Sequence, residues 1–273
     1  MSDLGAKILL AFAPKNSMEA FGVPDMALPL SPDDIKKLQS ERQIEKETPA
    51  EEILRSYDNT FPNFRAMLEN KSILDFGCGT GDSTFAFAEV ASKSVGYDIA
   101  GHKFEKNAEK AKSKGLADKI AFTTNLSEEY KGSFDYVISM NSFEHFADPE
   151  KELDNMLSIL KPDGKILLSF GPLWYSPFGV HNMFFIRIPW ANILFSKQSI
   201  FKARQSFIDE VITDYSQLSL NEMSVKKFEE ILSHRSIKMD YKNYNCSFNL
   251  NFFMNIPLLR ELFINHITCI IKR

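Results

Sequence analysis

Residues 73–84 read ILDFGCGTGDST. Gly77, Gly79 and Gly81 stand at alternate positions directly after a short apolar run that carries Asp75. An apolar run that passes straight into a glycine loop reads as a buried strand, a tight turn and the start of a helix. Such a loop lets the backbone approach a ligand closely. The feature therefore commits this part of the chain to an α/β unit with something to hold.

The flanking sequence keeps the same alternation. SILDF (72–76) is the first strand and a helix follows over about 82–92. SVGYD (94–98), KIAFT (119–123), FDYVISM (134–140) and GKILLSF (164–170) are four more strands. A polar helix closed by Gly115 separates the second from the third. Before the fifth, Asp148 caps a helix with Pro149 at its first position and Leu153, Met156, Leu157 and Leu160 at helical spacing. Strands alternating with helices predict a parallel, doubly wound sheet covered on both faces. Further on, SVKKFEEILSH is an amphipathic helix. SIKMDYKNYNCSF and HITCIIKR read as strands at the edge of the same sheet, with a short helix between them.

The two ends of this core look different. Six of the 12 prolines lie in the first 62 residues. The first 32 residues read as an irregular arm. Ser31 and Pro32 open a charged helix over 33–47, and a second helix spans 50–69. The expected organisation is an N-terminal arm with helices (1–70), a core (71–172), an aromatic and basic insertion (173–222), and a final helix with closing strands (223–273).

Bulk properties narrow the function. With 273 residues, 44% hydrophobic and 25% charged, the chain can bury a sizeable core. A net charge of -4 argues against a protein built to grip nucleic acid. Cys78, Cys246 and Cys269 are too scattered for a disulfide framework or a zinc knuckle and read as reduced thiols. The longest apolar stretch, MFFIRIPWANILF, is too short to span a bilayer and is interrupted by Arg187 and Pro189. The expectation is a soluble, cytoplasmic protein.

The glycine spacing narrows the ligand. A dinucleotide loop wants a third glycine where this chain has Asp82, and no Gly-Lys-Ser/Thr ending marks a phosphate loop. A carboxylate at that place opposes a pyrophosphate. ILDFGCGTG, followed by VGYD and by LKPDGKILLS, resembles the class I S-adenosylmethionine-dependent methyltransferases, in the type 11, small-molecule branch. The resemblance covers about residues 70–172 and, more weakly, the closing strands. It implies a Rossmann-like methyltransferase fold: a doubly wound, mostly parallel sheet of seven strands with S-adenosylmethionine at the carboxyl ends.

On that reading Asp75 faces the cofactor's amino group, and Gly77, Cys78, Gly79 and Gly81 pass along its methionine part. Asp98 matches the acid that takes the two ribose hydroxyls, and Ile99 covers the adenine. Asn125 stands where the family often has Asp and, with Leu126, would meet the adenine edge. Met140 would lie beside the sulfonium. Turn-capping for the two aspartates, a turn role for Asn125 and a core role for Met140 stay open.

Transfer to oxygen benefits from a base, and histidine is the usual one. His102 and His234 lie at helix ends, and His266 lies in or beside the last strand. His145, in NSFEHF after the fourth strand, matches the family's Glu-His pair together with Glu144. His181, in GPLWYSPFGVHN after the fifth strand, keeps company with Trp174, Tyr175 and Asn182, which read with Arg187 as acceptor-site residues. Loop-shaping is the alternative for both histidines. Asn141 and Ser142 stand where metal-binding relatives add acids, so no metal is expected.

From Gly164 to Ile208 there is no Asp or Glu, while Lys165, Arg187, Lys197, Lys202 and Arg204 are present. Three readings compete: a cap with buried aromatics, a lid favouring an anionic or sugar-like acceptor, or a patch for anionic lipid. The expected function is S-adenosylmethionine-dependent methyl transfer to a small molecule at oxygen, without nucleic acid as partner. Its rivals are a non-catalytic cofactor-binding scaffold and a membrane-surface lipid methyltransferase.

Overall fold

The computed structural model describes residues 3–23, 26–42, 48–101 and 103–273. His102 and the predicted helix end over 43–47 lie outside the described residues. Seven strands form one sheet: β1 (Ser72–Phe76), β2 (Lys93–Tyr97), β3 (Ile120–Thr123), β4 (Phe134–Met140), β5 (Leu160–Phe170), β6 (Met239–Cys246) and β7 (Ile264–Lys272). Their order is β3-β2-β1-β4-β5-β7-β6, so the chain reverses direction across the sheet beside β1. The first five strands run parallel, and β7 pairs antiparallel with β5. This is the doubly wound, mostly parallel sheet expected from the alternation. The carboxyl ends of β1, β2 and β4 come together because Asp75 sits opposite Gly96 on one side and Ile138 on the other.

The chain forms two compact units. One comprises Glu47–Phe170, Phe228–Tyr244 and Ile267–Arg273 and holds the glycine loop. Its core packs Leu54, Tyr57, Phe64 and Leu68 on Ile73, Phe87 and Ile138. Continuous apolar strands such as β1 are what a sheet covered on both faces requires. The predicted helix over 50–69 is two helices, Ala50–Thr60 and Phe64–Leu68. Pro62 lacks the N–H that would continue the first, and Asn63 turns the backbone at φ 57. Arg235 braces the end of the helix Val225–His234 against Asp154 at 2.6 Å and 2.8 Å.

The other unit comprises the described residues of Met1–Lys46 with Gly171–Lys227 and Asn245–His266. The arm expected to be irregular contains the helices Leu4–Ala11 and Ser17–Phe21. Asp3 caps the first through the Ala6 N–H (3.1 Å), and Asn16 caps the second through the Glu19 N–H (3.0 Å). Asp3 also accepts from Ser199 Oγ at 2.8 Å, which fixes the first helix to the helix Lys197–Gln205. Leu9, Trp174, Phe184, Phe201 and Tyr215 form the core here. This division cuts the chain differently from the sequence boundaries. The arm and the 173–222 segment share one unit with 245–266, and the helix from Ala50 joins the sheet. Among the described residues, no helix is long and apolar enough to cross a membrane.

Candidate functional site

The glycine loop is built from the backbone outward. The N–H groups of Gly77 and Cys78 both donate to the carbonyl of Tyr97 at the end of β2, at 2.8 Å and 3.0 Å. Gly81 N–H closes the turn on the Cys78 carbonyl at 2.9 Å. Gly81 has φ 84, and a Cβ there would lie 2.6 Å from Asn107 Nδ2 and 2.7 Å from the Phe122 ring. Gly79 has φ 51, and a Cβ there would meet nothing within 4 Å. Gly81 is thus fixed by packing, whereas Gly79 borders open space.

Two carboxylates flank this loop. Asp98 Oδ2 accepts the Gly79 N–H at 3.0 Å, and Oδ1 accepts the Ala100 N–H at 2.9 Å. Each oxygen has a second acceptor position, so the pair can still take two hydroxyls. Ile99, beside it, is 82% exposed. Asp75 is buried and accepts from Thr84 Oγ1 at 2.7 Å. Burial pushes its carboxyl up to about 7; the Thr84 hydrogen bond acts in the opposite direction and the charge of Asp98 adds to the rise. Burial also raises the Cys78 thiol, with the charges of Asp75 and Asp98 adding to it. Asp82 accepts from Thr80 Oγ1 at 2.9 Å, which holds a negative charge at the helix start where a phosphate loop would have none.

The remaining predicted residues of this unit sit at strand ends. Asn125 is exposed and Leu126 half-buried after β3, with the Asn125 N–H held by Thr123 Oγ1 at 3.1 Å. Met140 is half-buried and packs on the cluster of Tyr57, Phe87 and Ile138. The loop after β4 lies on the glycine loop: Ser142 Oγ donates to Met140 O (3.1 Å) and lies 3.4 Å from Gly77 O. His145 is half-buried on the turn Phe143–His145, with its N–H on the Ser142 carbonyl at 2.9 Å, and Glu144 is buried. One unit therefore gathers Asp75, the three glycines, Asp98, Met140 and the His145 loop.

Sequence reasoning missed four residues that shape this place. Thr84 lies three positions after Gly81, one helical turn on, and that spacing could have found it. Asn107 Nδ2 donates to the Thr80 carbonyl at 3.0 Å, and Phe122 fills the space below Gly81 and Gly96. Tyr57 OH donates to Ser83 Oγ at 3.2 Å from a helix with no motif of its own. Burial, then the charge of Asp75, raises the Tyr57 phenol.

The other unit holds the predicted acceptor residues. His181 is half-buried, and its Nδ1 lies 3.0 Å from the Gly179 carbonyl, to which it donates. Its backbone has φ 59 and ψ 160, a region costly for any residue but glycine. Trp174 is buried in the core, edge-on to Tyr215 with centroids 4.7 Å apart. Tyr175, Asn182 and Arg187 are exposed. Four of the five cations of the acid-free run have an acidic partner in space. Arg187 pairs with Glu19 at 3.6 Å, Arg204 with Glu210 at 2.9 Å, Lys165 with Asp240 at 3.0 Å, and Lys197 with Asp214.

Known proteins bear on this geometry. A family model described as a methyltransferase domain matches residues 44–204. A demethylmenaquinone methyltransferase from Thermus thermophilus is 33% identical over 123 residues, 43% of this chain and 56% of the relative. A ubiquinone biosynthesis O-methyltransferase from Actinobacillus pleuropneumoniae is 30% identical over 108 residues, 37% of this chain and 46% of the relative. The chain spans about half the length of the curated relatives it matches. A candidate sarcosine dimethylglycine methyltransferase from Galdieria sulphuraria superposes with a TM-score of 0.52 at 13% identity, over 93% of this chain and 94% of that one. At that identity the likeness concerns the fold.

Proposed function

The chain belongs to the methyltransferase-domain family, and we propose that it transfers a methyl group from S-adenosylmethionine to a hydroxyl oxygen of a small-molecule acceptor. One observation carries the cofactor assignment: Asp98 accepts the N–H of Gly79, whose open side a Cβ would occupy. That cradle fits a ligand with a diol for the carboxylate and a chain for the glycine backbone. S-Adenosylmethionine supplies an electrophilic methyl group on a sulfonium.

The chain's own residues then have distinct tasks. Asp98 takes the ribose hydroxyls, and Ile99 covers the adenine, whose edge Asn125 and Leu126 meet. Gly77, Cys78, Gly79 and Gly81 line the methionine part, with Asp75 beneath them. Met140 closes the sulfonium side. His145 would take the acceptor hydroxyl's proton, and holding that oxygen aligned for displacement of the methyl group from sulfur would supply much of the rate. A second reading assigns the proton to His181. It is favoured by the hydrogen bond that orients that ring on the Gly179 carbonyl and by the strained backbone that holds it.

Oxygen as accepting atom follows the ubiquinone-biosynthesis relatives. The paired cations support an uncharged acceptor. Three free, buried cysteines support a cytoplasmic setting. The test has two stages. S-Adenosylhomocysteine is titrated calorimetrically into the folded protein, and transfer from methyl-labelled donor is then assayed on phenolic, quinol and carboxylate acceptors. Binding with transfer to a hydroxyl supports the proposal. Absence of binding sinks it, and binding without transfer to any acceptor moves the scaffold reading to the front.

A further inference from the structure

The helix Leu4–Ala11, LGAKILLA, is apolar on every side but for Lys7. A helix apolar all round is normally covered all round. Here the cover lies on one side only. Ala6 and Leu9 are buried, and Gly5 approaches the helix Lys197–Gln205 so closely that a Cβ would lie 2.5 Å from Ser199 Oγ. On the other side Leu4 is 70% exposed, Ile8 41% and Phe12 61%. Phe12 ends the helix still in its turn, at φ -105 and ψ -1. Spaced four residues apart, the three side chains form one stripe and not scattered points. Lys7, three residues beyond Leu4, is exposed at the edge of the same stripe.

The charges beside the stripe select what covers it. From Leu4 to Met18 there is no Asp or Glu, and Lys7 and Lys15 are both present. Lys7 has no acidic partner among the described residues. Lys15 Nζ donates to the carbonyls of Leu10 and Ala11 at 3.2 Å and 2.7 Å, which sets an exposed cation at the end of the helix. The acids that bound this stretch are engaged. Asp3 accepts from Ala6 N–H and Ser199 Oγ with the charge of Lys202 nearby, and Glu19 pairs with Arg187. Lys7 and Lys15 are therefore in excess. At physiological salt, charges beyond roughly 8 Å are screened, so this local excess outweighs the chain's -4. A stable dimer needs roughly 800 Å² from each partner. A helix of eight residues, about 12 Å long, offers a fraction of that. A bilayer sets no such threshold: a few large apolar side chains enter the boundary between headgroups and acyl chains while lysines stay with acidic headgroups.

We propose that the exposed side of this helix seats the protein reversibly on an anionic lipid surface, with Leu4, Ile8 and Phe12 at the headgroup–acyl boundary and Lys7 and Lys15 among the headgroups. The proposal stands apart from the identity of the methyl acceptor.

Flotation of the full chain with phosphatidylcholine–phosphatidylglycerol vesicles, and with phosphatidylcholine alone, tests it. The wild type should float with the anionic vesicles and partition more weakly to the neutral ones. Lys7→Gln should lose about fivefold of the partition coefficient on anionic vesicles and little on neutral ones. The double variant Leu4→Gln, Phe12→Gln should lose about tenfold or more on anionic vesicles. Both should melt close to the wild type, since the altered side chains already face solvent. Phe12→Leu should retain binding. A wild type that stays unbound in both vesicle types overturns the proposal, as does a folded double variant that binds like the wild type. Should the double variant lose its melting transition, Lys7→Gln decides, and equal binding of Lys7→Gln and wild type to anionic vesicles overturns the proposal. A dimer in sedimentation equilibrium that the double variant dissolves, with no vesicle binding, overturns it too and names a second copy as occupant.

Discussion

Thr84 Oγ1 donates to Asp75 Oδ2 across 2.7 Å, and neither side chain is exposed. A carboxyl buried in this way holds its proton up to about 7 in the native state, while in the unfolded chain it ionises above 3.8. Between those values the native state binds the extra proton. Stability from this group is therefore fully present below 3.8 and is lost as pH rises through about 7, by up to roughly 1.4 kcal/mol per pH unit. His266 works in the opposite sense. Burial lowers it from 6.5 to about 4, so the unfolded chain binds the extra proton and stability rises through that window. The two slopes oppose each other from about 4 to 6.5. Asp75→Asn should unmask a stability that climbs with pH, and His266→Gln one that falls. Urea melts at stepped pH read both. An Asp75→Asn profile with the same slope as the wild type would refute the assignment.

Gly79 and Gly81 separate binding from folding. Gly81→Ala places a methyl 2.6 Å from Asn107 Nδ2 and 2.7 Å from Phe122 in a left-handed backbone, so it should cost about 2–4 kcal/mol of stability. Gly79→Ala meets no atom within 4 Å and carries the left-handed strain alone, about 1 kcal/mol. Its methyl occupies the open side of the loop. Gly79→Ala should melt close to the wild type and bind S-adenosylhomocysteine at least tenfold more weakly, roughly 1.4 kcal/mol. Equal effects on melting for the two variants would contradict this division.

How much of this was legible in the sequence depends on range. The strand ends were readable because glycine, acid and apolar run lie within a few residues of one another, and so was the placement of β6 and β7 at the sheet edge. The two N-terminal helices were hidden by their shortness. Leu4–Ala11 is held by the contact of Asp3 with Ser199, a partner far along the chain. The cation pairs were equally invisible, since Glu19 and Arg187 lie on distant segments. Trp174 looked like a pocket residue from its neighbours, yet packing against Tyr215 buries it. Tyr57 had no signal at all, because its role comes from a helix laid over the loop.

Asp98 joins loop and ligand. Its two oxygens already hold Gly79 and Ala100, so truncation removes both a ligand contact and a loop tie. Asp98→Ala should weaken S-adenosylhomocysteine binding by about 1.5–3 kcal/mol, the range for a hydrogen bond to a charged group. Asp98→Asn keeps one acceptor oxygen and should lose less. If Asp98→Asn and Asp98→Ala lose the same, the charge and not the loop tie sets affinity. If neither loses, the carboxylate is outside the site.

The histidines are separable by their pH profiles. A base must be neutral to accept the acceptor's proton, so kcat/KM should fall on the acid side with one ionisation in the wild type. His145→Gln should lower kcat by about 10²–10⁴ and abolish that acid limb, because the remaining rate no longer needs a deprotonated imidazole. S-Adenosylhomocysteine affinity should stay within about twofold, since the ligand cradle is built from Asp98 and the glycine backbone. His181→Gln keeps a donor toward the Gly179 carbonyl, now 3.0 Å from the ring, but lacks the second nitrogen. If His145 is the base, His181→Gln retains the acid limb and changes mainly KM. If the limb survives in His145→Gln and vanishes in His181→Gln, the roles exchange. If it survives in both, neither ring takes the proton, and alignment of the oxygen alone must carry the reaction.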